Sequence, residues 1–223
     1  MATRNKALII AYAGSLKGGR TVRHKKTILN KIKTYFWTYQ PQNIDPATRT
    51  GSYLIEAISI LRDKYKVPKE LLEVKLWGAI DKQNQIDVNI LNLSEYISIE
   101  DFKLKQETKQ LLAEADILFL PLEKGKVDQK PLFIPGKLFE YLNLGKPILA
   151  LSENSECADI LKESGLGIIA PPDKPEEIAQ ILYEYISNEN LLSEIQANKE
   201  YIAQFSFRKK TRMLADIFDK LLE

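Results

Sequence analysis

The chain has 223 residues, 44% of them apolar and 28% charged, with a net charge of +2. That composition belongs to soluble globular chains large enough for a real core, and no apolar run approaches the roughly 20 residues needed to cross a bilayer. One cysteine, Cys157, and one histidine, His24, argue against a disulfide framework, a CxxC metal site, a zinc cluster and histidine-based catalysis.

The elements follow in chain order. Lys6–Gly14 is a continuous apolar run closed by glycine, which predicts a buried parallel strand. "TVRHKKTILNKIKTYFWTY" puts Val22, Leu29, Ile32 and Phe36 on one helical face, with Arg23, Lys26, Asn30 and Lys33 elsewhere. "SYLIEAISILRDKY" predicts a helix, with Leu54, Ile55, Ile58 and Leu61 at helical spacing. "LEVKLWGA" predicts the second strand, and "VNILNLSEYIS" a shorter strand region. "EDFKLKQETKQLLAEA" reads as helix and "DILFLPL" as strand. A helix over Gly136–Asn143 and a strand over Pro147–Leu151 come next. "SECADILKES" is helical, "GLGIIAP" a strand and "KPEEIAQILYEYISN" a helix. Two further helices are predicted near Leu191–Ala203 and Phe207–Leu222, the last opened by Ser206 as N-cap. Strands alternating with helices predict an α/β fold, a doubly wound and mainly parallel sheet. Ligands of such sheets sit beyond the carboxyl ends of the strands, where strand order reverses.

The charge is uneven. No Asp or Glu precedes Asp45, while that stretch carries nine Lys and Arg, among them Arg20 and Lys33. A basic block implies an anionic neighbour or a solvated face. No nucleic-acid motif accompanies it. "GSLKGG" is not G-x-G-x-x-G, no P-loop pattern occurs, and no Asp-x-Asp supplies the metal ligands that some transferases use.

The informative stretch is "PLFIPGKLFEYLNLGKPILAL". Pro135 suits a helix start. Gly136 removes a side chain where a ligand could approach the backbone. The N–H groups of Gly136, Lys137 and Leu138 then face outward at the positive end of the helix dipole, an anion site suited to phosphate, with Lys137 adding charge. Glu140 lies one turn on, in a helix expected to be largely buried. A buried carboxylate needs donors, and vicinal ribose hydroxyls would provide two. An exposed Lys137–Glu140 pair is the plain structural alternative, and the pattern alone leaves both open.

The run from "ADILFLPLE" through "LFIPGKLFEYLNLGKPILALSENSECADILKESGLGIIAPPDKPEEIAQIL" resembles the C-terminal, donor-binding half of GT-B fold glycosyltransferases, family-four-like enzymes of bacterial surface polysaccharide synthesis. "IIAYAGSL", "RTGSYLIEAI" and "LEVKLWGAI" are similar to that half's first strand, first helix and second strand; residues 17–47 are unmatched. The resemblance implies a UDP- or GDP-sugar donor and no metal or other cofactor. Gly14 and Ser15 would approach the diphosphate. Ile134, Pro135, Gly136 and Lys137 would hold base, ribose and phosphate through the backbone, and Glu140 would bind the ribose hydroxyls. Arg49, then Arg20, is the basic side chain expected at the diphosphate. Leu132 stands where many such enzymes carry an earlier Glu, eight residues before the ribose Glu, so contacts to the sugar depart from the pattern.

The expected organisation is a single Rossmann-like donor domain over residues 1–223, with a basic amphipathic insert at 17–47 and a C-terminal helix at 205–223. An N-terminal acceptor domain is expected as its partner, without which the chain would be inactive. The location implied is cytoplasmic. The insert either packs on the protein or lies on an anionic membrane surface, at the inner membrane face. Nucleic acid is not an expected partner. The alternatives are a non-catalytic nucleotide-diphosphate binding module and half of a GT-B-type epimerase.

Overall fold

The computed structural model describes residues 6–16, 44–45, 48–125, 130–131 and 133–222. Arg20, His24 and the predicted amphipathic helix of the insert lie outside the described residues, as does Leu132. The strands are β1 (Leu8–Ala13), β2 (Ile44–Asp45), β3 (Leu72–Trp77), β4 (Ile97–Glu100), β5 (Ile117–Pro121), β6 (Lys124–Gly125), β7 (Ile148–Leu151) and β8 (Gly167–Ala170). The α-helices are α1 (Ser52–Asp63), α2 (Lys82–Ile90), α3 (Lys105–Glu114), α4 (Gly136–Leu144), α5 (Glu156–Glu163), α6 (Pro175–Ser187), α7 (Asn190–Glu194), α8 (Lys199–Ala203) and α9 (Phe207–Leu222).

Six strands form one sheet in the order β4-β3-β1-β5-β7-β8. Every neighbouring pair is parallel, with Ala13 opposite Trp77 and Ile10 opposite Ile117. The chain steps outward from β1 to β4, then returns to start again at β5. The order therefore reverses between β1 and β5, as in a doubly wound Rossmann-like fold.

Alternation along β1 sets the two faces of the sheet. Leu8, Ile10 and Tyr12 join Val74, Leu76, Phe119 and Leu149 in one buried cluster, covered by Leu54, Ile58 and Leu61 of α1 and by Ile178, Leu182 and Ile186 of α6. Ala11 and Ala13 join Trp77, Leu118, Leu120 and Ile148 in the other, covered by Leu138, Tyr141 and Leu142 of α4 and by Ile160 and Leu161 of α5. Each fully buried Leu, Ile or Phe contributes about 1.5–3 kcal/mol of transfer free energy.

Three regions differ from the sequence expectation. The helix expected from Glu100 begins only at Lys105, because Glu100 ends β4 and residues 101–104 are loop. Residues 82–90 are helix, and the strand begins only at Ile97. Asp81 caps that helix by accepting from the Gln83 N–H at 2.9 Å, and only Asn84 and Val88 turn inward. The helix expected over 191–203 is two short ones. The break falls where the Asn198 N–H donates to the Ser164 carbonyl at 2.8 Å, and the Asn198 side chain caps Tyr201 at 3.0 Å.

A two-stranded antiparallel ladder, β2 with β6, lies apart from the main sheet. Thr48, 2% exposed, fastens it: its hydroxyl donates to the Leu122 carbonyl at 3.1 Å and accepts from the Lys124 N–H at 2.8 Å. Helix α9 behaves differently from the rest. Ser206 caps it, but Phe207, Leu214, Ile217, Phe218 and Leu221 are all exposed, Phe207 to 89%.

Candidate functional site

The site grows from the carboxyl ends of β1, β3 and β4 and the start of α4. The loops after the three strands are laced together. The Gly14 N–H donates to the Trp77 carbonyl at 2.8 Å, Leu16 to Ala79 at 3.1 Å, and Gly78 to Glu100 at 2.9 Å. Gly14 and Gly78 have φ of +147° and +120°, a region that side chains other than glycine rarely adopt. A Cβ on Gly78 would overlap the Gly14 carbonyl oxygen.

Helix α4 begins on the other side of the strand reversal. Pro135 is buried and extended, with ψ of 141°, and stands just before the first helical residue. The Leu138 N–H donates to the Pro135 carbonyl at 3.0 Å, so of the three amides expected to face outward this one is already bonded. A Cβ on Gly136 would meet nothing within 4 Å, so open space faces the helix start.

Lys137 links the two sides. Its ammonium donates to the carbonyl of Ala13, the last residue of β1. It lies 4.9 Å from the centroid of the Tyr12 ring and 5.7 Å from that of Tyr141, both within cation–π range. A Cβ on Gly14 would stand 2.5 Å from this nitrogen, so the absence of a side chain there makes room for it. Burial draws the Lys137 pKa below the usual lysine value; the nearby Glu140 charge opposes this and Arg49 reinforces it. Tyr12 donates its hydroxyl to the Ser15 carbonyl at 2.8 Å, and burial pushes its phenol up to about 12, partly offset by Arg49. Burial raises the Tyr141 phenol as well. The half-buried Arg49 sits 5.6 Å from the Phe133 ring centroid. Among the described residues, neither Lys137 nor Arg49 has a carboxylate within ion-pair distance. The result is a cationic seam with exposed backbone at its mouth, a setting for an anion with several oxygens.

A cavity of about 170 Å³ adjoins the seam, lined by Ala13, Gly14, Trp77, Phe102, Lys103 and Thr108. Phe102 is 71% exposed, and Lys103 is held by Glu100 at 2.9 Å. Trp77 is 3% exposed, so Phe102 is the aromatic side chain that offers an open face for a planar ring.

Gly14, Ser15, Arg49, Pro135, Gly136 and Lys137 thus converge on one place. Ile134 is half-buried and packs against the hydrophobic cluster that α4 and α5 cover. Glu140 corrects an expectation: it is exposed. Helix α4 buries one stripe, Leu138, Tyr141 and Leu142, and Gly136, Glu140 and Asn143 fall on the opposite side at helical spacing. Nor is Glu140 paired with Lys137, whose side chain turns to β1 instead. Tyr12, Tyr141, Trp77 and Phe102 were not singled out by the sequence. The signal available was an aromatic residue at the end of each of two strands, Tyr12 two residues before Gly14 and Trp77 directly before Gly78. Among the described residues, no group of three His, Cys, Asp or Glu could hold a metal ion, and no helix is long and apolar enough to cross a membrane.

Comparison with known proteins gives this geometry a context. Residues 44–188 match the family described as "Glycosyl transferases group 1". Over 148 residues the chain is 26% identical to the amylovoran biosynthesis glycosyltransferase AmsK of Erwinia amylovora, covering 65% of this chain and 36% of AmsK. Among solved structures, a glycosyltransferase from Rickettsia africae superposes with a TM-score of 0.62 at 16% identity, covering 99% of this chain and 49% of that one. Anabaena Alr3699/HepE, solved in complex with UDP-glucose, gives a TM-score of 0.61 at 14% identity, with coverage of 96% and 49%. The chain thus spans about half the length of these structures and about a third of the curated relative. The family match covers Arg49, the main-sheet strands from β3 to β8 and the whole of α4, while β1 and Gly14 precede it, and the chain belongs to the group 1 glycosyl transferases.

Proposed function

We propose that this chain is the donor-binding half of a glycosyltransferase that moves a sugar from UDP or GDP onto a polysaccharide or lipid-linked acceptor. The observation that carries this reading is the Lys137 ammonium lying across Gly14, beside the open start of α4. A sugar nucleotide brings a diphosphate, a ribose and a planar base. The diphosphate would lie on the backbone of Gly14, Ser15, Gly136 and Lys137, with the Lys137 and Arg49 side chains answering its charge; Arg20 is proposed as a further cation. Ile134 and Pro135 offer backbone to the nucleoside, and Glu140, exposed on α4, can accept from ribose hydroxyls. The cavity between Trp77 and Phe102 is the proposed seat of the base. The UDP-glucose complex of HepE and the role of AmsK in amylovoran biosynthesis support the ligand and acceptor classes.

In the transfer, the bond from the sugar anomeric carbon to the β-phosphate oxygen breaks and the leaving diphosphate keeps the electron pair. An acceptor hydroxyl oxygen bonds to the carbon, and its proton passes to the departing diphosphate. The lysine, arginine and helix dipole would stabilise the departing charge without a metal. Transfer also requires an acceptor held in line, for which we propose a second, acceptor-binding domain. The exposed apolar residues of α9 are consistent with such a partner. Calorimetry of the 223-residue chain with UDP, GDP and UDP-glucose tests the reading. Weak saturable binding is expected; no heat and no thermal shift at millimolar nucleotide would overturn it.

A further inference from the structure

Tyr12 touches both parts of the seam at once. Its ring faces the Lys137 ammonium at 4.9 Å, while its hydroxyl is bonded to the Ser15 carbonyl at 2.8 Å. The ring itself is fixed from behind by Phe119, edge to face at 6.1 Å, and the residue is 2% exposed. So the lysine head and the Gly14–Ser15 turn both rest on one buried side chain at the end of β1.

The choice of partner matters chemically. A lysine held by a carboxylate has its charge answered already, and an incoming anion must displace that carboxylate. Lys137 is held by a carbonyl oxygen and by two aromatic faces, all neutral groups. The charged and titratable groups that face it are Tyr12 from β1, Arg49 from the turn before α1, and Glu140 and Tyr141 from α4. Glu140 acts on it electrostatically but forms no ion pair, and Arg49 carries the same sign. The ammonium is therefore oriented without being neutralised.

Resting on the donor reading above, we infer that Tyr12 is a positioning residue for the diphosphate: its ring seats the Lys137 ammonium and its hydroxyl fixes the Gly14–Ser15 turn, so that both meet the ligand as one preformed unit. Tyr12 touches neither the sugar nor the reacting bond. Its contribution is preorganisation, which lowers the ordering cost of binding.

The test combines NMR of the full chain with calorimetry using UDP and pyrophosphate near neutral pH. Protons lying over an aromatic face resonate upfield. The Lys137 ε-methylene is expected upfield of the other lysines in the wild type and in Tyr12→Phe, and displaced toward them in Tyr12→Leu. Tyr12→Leu is expected to bind both probes about tenfold more weakly, the effect of losing a desolvated cation–π seat. Tyr12→Phe keeps the ring and releases the turn, so it should lose roughly threefold. Should Tyr12→Leu fail to fold, the wild-type spectrum and Tyr12→Phe decide. An unshifted Lys137 ε-methylene in the wild type, or wild-type affinity in the Tyr12 variants, overturns the inference while the donor reading stands. If the wild type binds none of UDP, GDP and pyrophosphate, the donor reading falls and takes the inference with it.

Discussion

A methyl group on Gly78 would overlap the carbonyl oxygen of Gly14, so the loops after β3 and β1 meet where only glycine fits. Gly78→Ala would force a side chain into that contact and into a backbone with φ of +120°. We expect a loss of about 2–3 kcal/mol in urea unfolding, combining strain with overpacking, and weaker UDP binding as Gly14 is displaced. Wild-type stability would show that the two loops can part at little cost.

Lys137 offers a pH test. Its pKa is lowered from the ordinary 10.5, mainly by burial, so the unfolded chain binds that proton more tightly than the folded one. Where the unfolded state holds more protons, stability rises with pH. The cost of keeping the ammonium charged is thus fully present below the lowered pKa and fades toward 10.5. Lys137→Met removes the titration. Comparing urea unfolding of the two proteins upward from about pH 7, the difference should move in favour of the wild type. A constant difference would mean that Lys137 is not desolvated. The same variant should lose about 1.5–3 kcal/mol of UDP affinity at neutral pH, the range for charged hydrogen bonds.

Glu140→Gln separates ligand from scaffold. The side chain is exposed, so its replacement should leave the unfolding midpoint within about 0.5 kcal/mol. If it accepts from ribose hydroxyls, UDP affinity should drop by about 1–3 kcal/mol. Binding equal to the wild type would return Glu140 to an ordinary surface residue.

Thr48→Val tests the small ladder. The substitution is near-isosteric but deletes a donor to Leu122 and an acceptor for Lys124 in a buried place. A destabilisation of about 1–3 kcal/mol is expected, with loss of amide protection at Lys124 in hydrogen exchange. Unchanged protection there would show that the ladder holds without the threonine.

The sheet was readable because its strands are unbroken apolar runs: Leu8–Ala13 and Ile117–Pro121 are buried on both faces and need no alternation. Helix α2 was not. Its "KQNQIDVNI" buries only Asn84 and Val88, too thin a stripe to reveal a helix, while "VNIL" reads as strand. Phe102 and Lys103 stayed hidden because "EDFKLKQETKQLLAEA" reads as one helix, whereas α3 begins only at Lys105 and residues 101–104 form the loop after β4. The start of α4 was legible from Pro135, Gly136 and Lys137, which are adjacent in the chain. The aromatic seat was not: Tyr12 and Tyr141 meet over one ammonium only because the strand order reverses between β1 and β5. The burial of Glu140 was overestimated because apolar neighbours on three sides of it in sequence cover only one side of a helix.

The bond from Lys137 to Ala13 joins residues separated by 124 positions. Closing so long a loop carries an entropic cost before any contact compensates it, and distant pairings govern the speed of folding. Neither β1 with its crossovers outward, nor β5 with those that follow, can form the seam alone. On refolding from urea, secondary structure should return while the protein is still unable to bind nucleotide, and binding competence should appear only in the final kinetic phase.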